Sequence, residues 1–166
     1  MKGKVIKYGE KNINTDLIIP ARYLTKSNPD HLAAHCMEDL DADFLQRKEN
    51  LGATIMVGGA NFGCGSSREQ APISIKAAGI QCVIAPSFAR IFFRNAINIG
   101  LPILELDDIS VLNTGDEVEL DFDQGLLLNH TTDQQITIKA MPEFLQKIIS
   151  AEGLVNFTKN LIHTTP

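Results

Sequence analysis

No apolar run in this 166-residue chain approaches the length of a membrane span, and no N-terminal apolar stretch resembles a secretion signal. A soluble cytoplasmic protein is expected. An excess of basic residues is missing too. Fifteen Lys and Arg against 20 Asp and Glu give a net charge of −5, which excludes the basic face of a general nucleic-acid binder. Cysteine is scarce: Cys36, Cys64 and Cys82 lie far apart with no C-x-x-C pair, which argues against a self-contained zinc or iron–sulfur site. Reduced thiols are the simplest account. Repeats, low-complexity tracts and long linkers are also absent. With 44% hydrophobic residues the chain can bury a real core, and residues 1–166 are read as a single domain.

What is present begins with an alternation. Ala53 to Val57, Gln81 to Ala85 and Pro102 to Leu106 read as strands; Ala71 to Ala78 and Phe88 to about Asn98 read as helices closed by Gly79 and Gly100. That strand–helix rhythm predicts an α/β layer. Upstream, Lys4 to Tyr8 is a predicted strand. Asn28-Pro29 starts a helix to about Met37, and the acidic stretch Glu38 to Asp43 reads as a solvated turn. Downstream, Asp116 to Phe122 and Gln134 to Lys139 are predicted strands, and Pro142 to Ala151 is a terminal helix. A frayed tail is expected from about 160 to 166.

Between the Ala53 strand and the Ala71 helix lies Gly58-Gly59-Ala60-Asn61-Phe62-Gly63-Cys64-Gly65-Ser66-Ser67-Arg68-Glu69-Gln70. Glycines let backbone amides approach a ligand, and a helix N-terminus offers unpaired donors with partial positive charge. Two hydroxyls and a guanidinium at that point make an oxyanion site. Two other readings of the loop fail: no Lys precedes the hydroxyls as a phosphate loop needs, and G-x-G-x-x-G is not met. Capping competes with function here, since Ser66 with Glu69 and Ser67 with Gln70 both fit the S-x-x-E/Q pattern. Cys64 is open between packing and a thiolate favoured by the helix start.

Other polar groups stay ambiguous at this level. Arg90 and Arg94 share a helix face and suit a dianionic substrate, a partner's acids or internal carboxylates, with salt bridges preferred. Asp16 stands at a predicted turn-to-strand junction, as an Asx cap or as a group orienting Arg68. His31 and His35 have i,i+4 spacing but no third ligand, so a surface pair is preferred over a metal. No histidine–acid pair is assigned to Ser66, so no Ser–His–acid triad is written.

Asn14-Thr15-Asp16-Leu17-Ile18-Ile19-Pro20, Gly63-Cys64-Gly65-Ser66-Ser67-Arg68-Glu69, Ser87-Phe88-Ala89-Arg90-Ile91 and Asn95 to Pro102 together resemble the swivel domain of the aconitase superfamily. The chain is more specifically similar to the small subunits of 3-isopropylmalate dehydratases, over nearly its whole length. This resemblance implies a three-layer β/β/α domain. It also implies a hydro-lyase of leucine biosynthesis, active only with a large subunit that carries a [4Fe-4S] cluster, none being bound by this chain. The resemblance makes Ser66 the catalytic base, and Ser67, Arg68 and Gly65 substrate-binding positions, with Asp16 and Arg90 supporting. It assigns substrate choice to the loop after Pro20. There Thr25 offers a methyl and no charge, which favours an alkylmalate over a tricarboxylate. Subunits of dimethylmalate or citramalate dehydratases or of a homoaconitase, and a stand-alone dicarboxylate-binding domain, are the alternatives.

Overall fold

The computed structural model describes residues 1–164. Seven strands form one sheet in the order β4-β3-β2-β1-β5-β6-β7. Four of them are parallel: β1 (Lys2–Tyr8), β2 (Ala53–Gly58), β3 (Cys82–Ala85) and β4 (Ile103–Glu105). The other three, β5 (Glu117–Asp121), β6 (Leu126–Asn129) and β7 (Gln134–Thr137), continue it antiparallel.

The side-chain alternation of the parallel strands explains their layers. Ile6, Met56, Val83 and Ile103 point into a core shared with the helices. Val5, Ile55, Val57, Cys82, Ile84 and Leu104 point to the other face, where Val118, Leu120 and Leu127 and the segment around Leu106 and Leu112 join them. Lys7 pins that segment by donating from Nζ to the carbonyls of Ile109 and Leu112, both at 2.7 Å. Both faces are therefore buried, and the β/β/α layering is built from one continuous sheet.

The helical layer comprises α1 (Thr15–Ile18), α2 (Pro29–Ala34), α3 (Phe44–Leu51), α4 (Gln70–Ala77), α5 (Arg90–Asn98), α6 (Glu143–Ser150) and α7 (Leu154–Thr164). The capping predicted for α2 is present, with Asn28 Oδ1 accepting from the amides of Asp30 and His31. That helix stops three residues before the expected Met37. Met37 instead takes φ 62 and donates its amide to the Ile18 carbonyl, which buries its side chain. Four elements were not expected, the short helix α1 over the predicted turn-to-strand junction at Asp16 among them. Helix α3 carries mostly polar residues and buries Phe44 alone, β6 is a short apolar run, and α7 reaches Thr164 where a frayed tail is expected. Residues 165 and 166 of that tail lie outside the described residues.

Candidate active site

Three loops leave the C-terminal ends of adjacent strands β1, β2 and β3, the end at which parallel sheets collect ligands. Hydrogen bonds zip the loops together. Gly63 donates its amide to Ile13 O (2.8 Å) and Thr15 donates to Cys64 O (2.9 Å), joining the first loop to the second. Phe62 donates to Ser87 O (3.0 Å) and Ala89 donates to Phe62 O (2.9 Å), joining the second to the third. Asn61 adds a bond from its amide to Ser87 Oγ (2.9 Å) and one from Nδ2 to Asn12 Oδ1 (2.8 Å). The three sequence motifs are thus one structural unit.

An open cavity of about 480 Å³ lies where they meet. Thr15, Gly65, Ser66, Arg68, Arg90 and Arg94 are among its lining residues. Thr15 is buried, and its hydroxyl donates to the Ser66 carbonyl at 2.9 Å, which fixes the loop beneath the serine. Arg68 is only 13% exposed at its side chain; Nη1 meets Asp16 Oδ1 at 2.6 Å and Ile19 O at 3.1 Å. Nη2 and Nε have no partner among the described residues, so a positioned guanidinium keeps free donors. Asp16 sits in the first turn of α1, not at a strand junction, and the capping belongs to Asn14, whose Oδ1 accepts from the Leu17 amide. That leaves the Asp16 carboxylate free to hold Arg68.

The capping reading of the serines does not hold. Helix α4 begins at Gln70 with Glu69 at its cap position and no side-chain capping bond. The helix starts four residues after Ser66 and three after Ser67, so neither serine holds its cap position. Among the described residues neither hydroxyl makes a hydrogen bond, and the amides of residues 65–70 donate to no protein acceptor. An exposed hydroxyl beside six unspent amides suits a developing oxyanion.

The glycines divide by role. A Cβ on Gly58 would strike the Phe62 ring, one on Gly59 the backbone of Glu10, and one on Gly63 the Phe92 ring. All three are held to glycine by packing, and Gly63 also lines the cavity. Gly65, at φ 89, is exposed on the cavity, and a Cβ there would meet no atom closer than 3.4 Å.

Two expected residues are not brought to the cavity. Thr25 is exposed in the loop after the short turn Ala21–Tyr23, and Ser67 is exposed just outside the lining. Arg90 and Arg94 do line it, but the preferred internal salt bridges are absent among the described residues. Both are exposed on α5. Thr15, Asn61, Ile91 and Phe92 line the cavity without a role assigned from sequence; Thr15 was visible only as the middle of Asn14-Thr15-Asp16. Cys64 lies half-buried, with Sγ 3.5 Å from Asn12 O. His31 and His35 pack around Tyr23, and no group of three or more His, Cys, Asp or Glu among the described residues is arranged to hold a metal.

The family model of the aconitase C-terminal domain matches residues 1–108. The 3-isopropylmalate dehydratase small subunit of Ruminiclostridium cellulolyticum is 59% identical over 160 residues, 96% of each chain. The 2,3-dimethylmalate dehydratase small subunit of Eubacterium barkeri is 60% identical over 157 residues, 94% of each chain. A solved structure of 3-isopropylmalate dehydratase from Methanocaldococcus jannaschii superposes with a TM-score of 0.85 at 44% identity, covering 98% of this chain and 96% of that one.

Proposed function

Because this chain belongs to the aconitase C-terminal domain family, and within it to the small subunits of 3-isopropylmalate dehydratase, we propose that Ser66 is the base of a hydro-lyase site completed by a large subunit. The reaction serves leucine biosynthesis: dehydration of an isopropylmalate to an alkene and rehydration in the other orientation. Ser66 Oγ, entering as the alkoxide, takes the proton from the carbon beside a carboxylate while hydroxide leaves the neighbouring carbon, a departure that the Lewis acidity of the large subunit's cluster would assist. Ser66, then a hydroxyl, returns the proton when hydroxide adds back. A free serine hydroxyl is far too weak a base for that step. The unspent amides of residues 65–70 and the guanidinium of Arg68 stabilise the alkoxide and hold the substrate carboxylate. Asp16 keeps Arg68 in place, and Gly65 lets the loop backbone approach the ligand.

The observation that carries this reading is a serine hydroxyl with no hydrogen bond among the described residues, lining one cavity with a guanidinium that is held by Asp16 and Ile19 yet keeps free donors.

The [4Fe-4S] cluster of this proposal lies on the large subunit. The thiols of this chain do not fit one: Cys36 is in the helix-side core and Cys82 on the opposite face of the sheet. Burial pushes the Cys36 thiol up to about 12 and raises that of Cys82 further. A biosynthetic role supports a cytoplasmic location, and no helix among the described residues is long and apolar enough to cross a membrane.

The 60% identity to a dimethylmalate dehydratase subunit favours one second reading, a smaller alkylmalate as substrate. The two are separated by assaying the reconstituted pair with isopropylmalate, dimethylmalate, citramalate and homocitrate. The highest kcat/KM is expected for isopropylmalate; a highest value for dimethylmalate would replace it.

A further inference from the structure

The proposed chemistry leaves part of the cavity unused. Of the five arginines, Arg22, Arg47 and Arg68 are ion-paired within the chain. Arg90 and Arg94 have no such partner among the described residues, although the chain carries 20 carboxylates. They stand four residues apart on α5, hence on one helix face. Ile91 lines the same cavity and is 48% exposed. The buried side of α5 is supplied by Phe92, Ala96 and Ile97, so Arg90, Ile91 and Arg94 form its outward side.

We propose that Arg90, Ile91 and Arg94 are the seat of the large subunit, the two arginines pairing with carboxylates of that subunit around an apolar contact made by Ile91. The inference rests on the two-chain reading above: a cavity whose other half lies on a second chain must have its rim covered by that chain. Arginines flanking an apolar residue suit an interface, since arginine is enriched there and gains most when its partner excludes water. A substrate carboxylate is the competing use. It suits these residues less, because no second group holds either guanidinium as Asp16 holds Arg68, and ligand sites depend on such positioning. The net charge of −5 makes this patch a local reversal of sign, which steers an acidic partner surface towards it.

The test titrates the wild-type chain, Arg94→Glu, Ile91→Asp and the double variant against a 3-isopropylmalate dehydratase large subunit. Association is followed by sedimentation equilibrium without substrate. Circular dichroism and melting curves check that each variant folds, which is expected because both side chains are exposed. Arg94→Glu is expected to raise the dissociation constant at least about 30-fold, and the double variant further. Wild-type association should also weaken as salt is added. Equal association of wild type and variants overturns the proposal. So does a raised substrate KM at unchanged association, which would give the arginines to the substrate. If the wild-type chain neither binds nor activates any large subunit, the two-chain reading itself fails, and the seat fails with it.

Discussion

Around Arg22 and Arg47 the charges are answered inside the chain, whereas around Ser66 they are left open. In the first region Arg22 reaches Asp39 at 2.6 Å and Glu38 at 3.0 Å, while Arg47 reaches Asp41 at 2.6 Å. Tyr8 donates to Asp41 (2.6 Å) and Tyr23 to Glu38 (2.7 Å), with His35 stacked on Tyr23 at 3.5 Å between ring centroids. In the second region only Arg68 is paired, through one nitrogen, and Ser66, Arg90 and Arg94 have no polar side-chain partner among the described residues. Residue types are similar, but the first set ties β1, the Ala21–Tyr23 turn, the segment after α2 and α3 together, and the second waits for something outside the chain. A satisfied network speaks for structure; donors held in position and left unspent speak for binding and chemistry.

The sharpest way to break that contrast is Ser66→Ala. The hydroxyl makes no hydrogen bond among the described residues, so fold and melting temperature should stay unchanged while kcat of the reconstituted enzyme falls by about 10²–10⁴, the range of a lost general base. Near-normal turnover would remove Ser66 from the chemistry and leave the open region without its main actor. Arg68→Lys comes next. It keeps the charge but not the fork that lets one nitrogen hold Asp16 and Ile19 while others meet a carboxylate. A KM raised at least about tenfold is expected, in line with the strength of charge-assisted bonds. An unchanged KM would mean that Arg68 only braces the loop.

How far this was legible follows from the same residues. The run from β2 to β4 was readable because its apolar segments and closing glycines are strong local signals, and both Gly79 and Gly100 do take positive φ. Helix α3 was not, because Gln46 to Asn50 is polar and only Phe44 is buried. The acidic stretch read as solvated because composition cannot show that Asp41 meets Tyr8 and Arg47 with 12% of its side chain exposed. The site motifs were legible as a set, but their division of labour was not. Whether a glycine faces a ring or a ligand, and whether an arginine finds an acid, is decided by residues distant in sequence. Thr25 entered through likeness to a family, which gives a position in the chain and no position in space.

Gly63→Ala tests whether packing or ligand approach governs the glycine loop. The added Cβ would meet the Phe92 ring at a φ of 76, which alanine disfavours. Overpacking of this kind costs about 1–3 kcal/mol, with about 1–2 kcal/mol more for the left-handed backbone. A melting temperature lowered by several degrees, with turnover falling in the same variant, is expected. Lost turnover at full stability would return Gly63 to the ligand side of the comparison.

The smallest effect belongs to the closed region and concerns acid. Hydrogen bonds from His35, then Tyr23, hold the Glu38 carboxyl down to about 2 from its ordinary 4.5. A depressed carboxylate stabilises the fold above the unfolded value and loses that contribution as pH falls through the folded one. The advantage of wild type over Glu38→Gln should therefore be full above about pH 5 and shrink between about 4.5 and 2. The Glu38 side chain is 33% exposed and solvent screens its pairs, so a difference of at most a few degrees in melting temperature is expected, with kcat unchanged. A Glu38→Gln variant that instead lost turnover at neutral pH would mean that the region around Arg22 serves the reaction as well as the fold, and the contrast between the two regions would collapse.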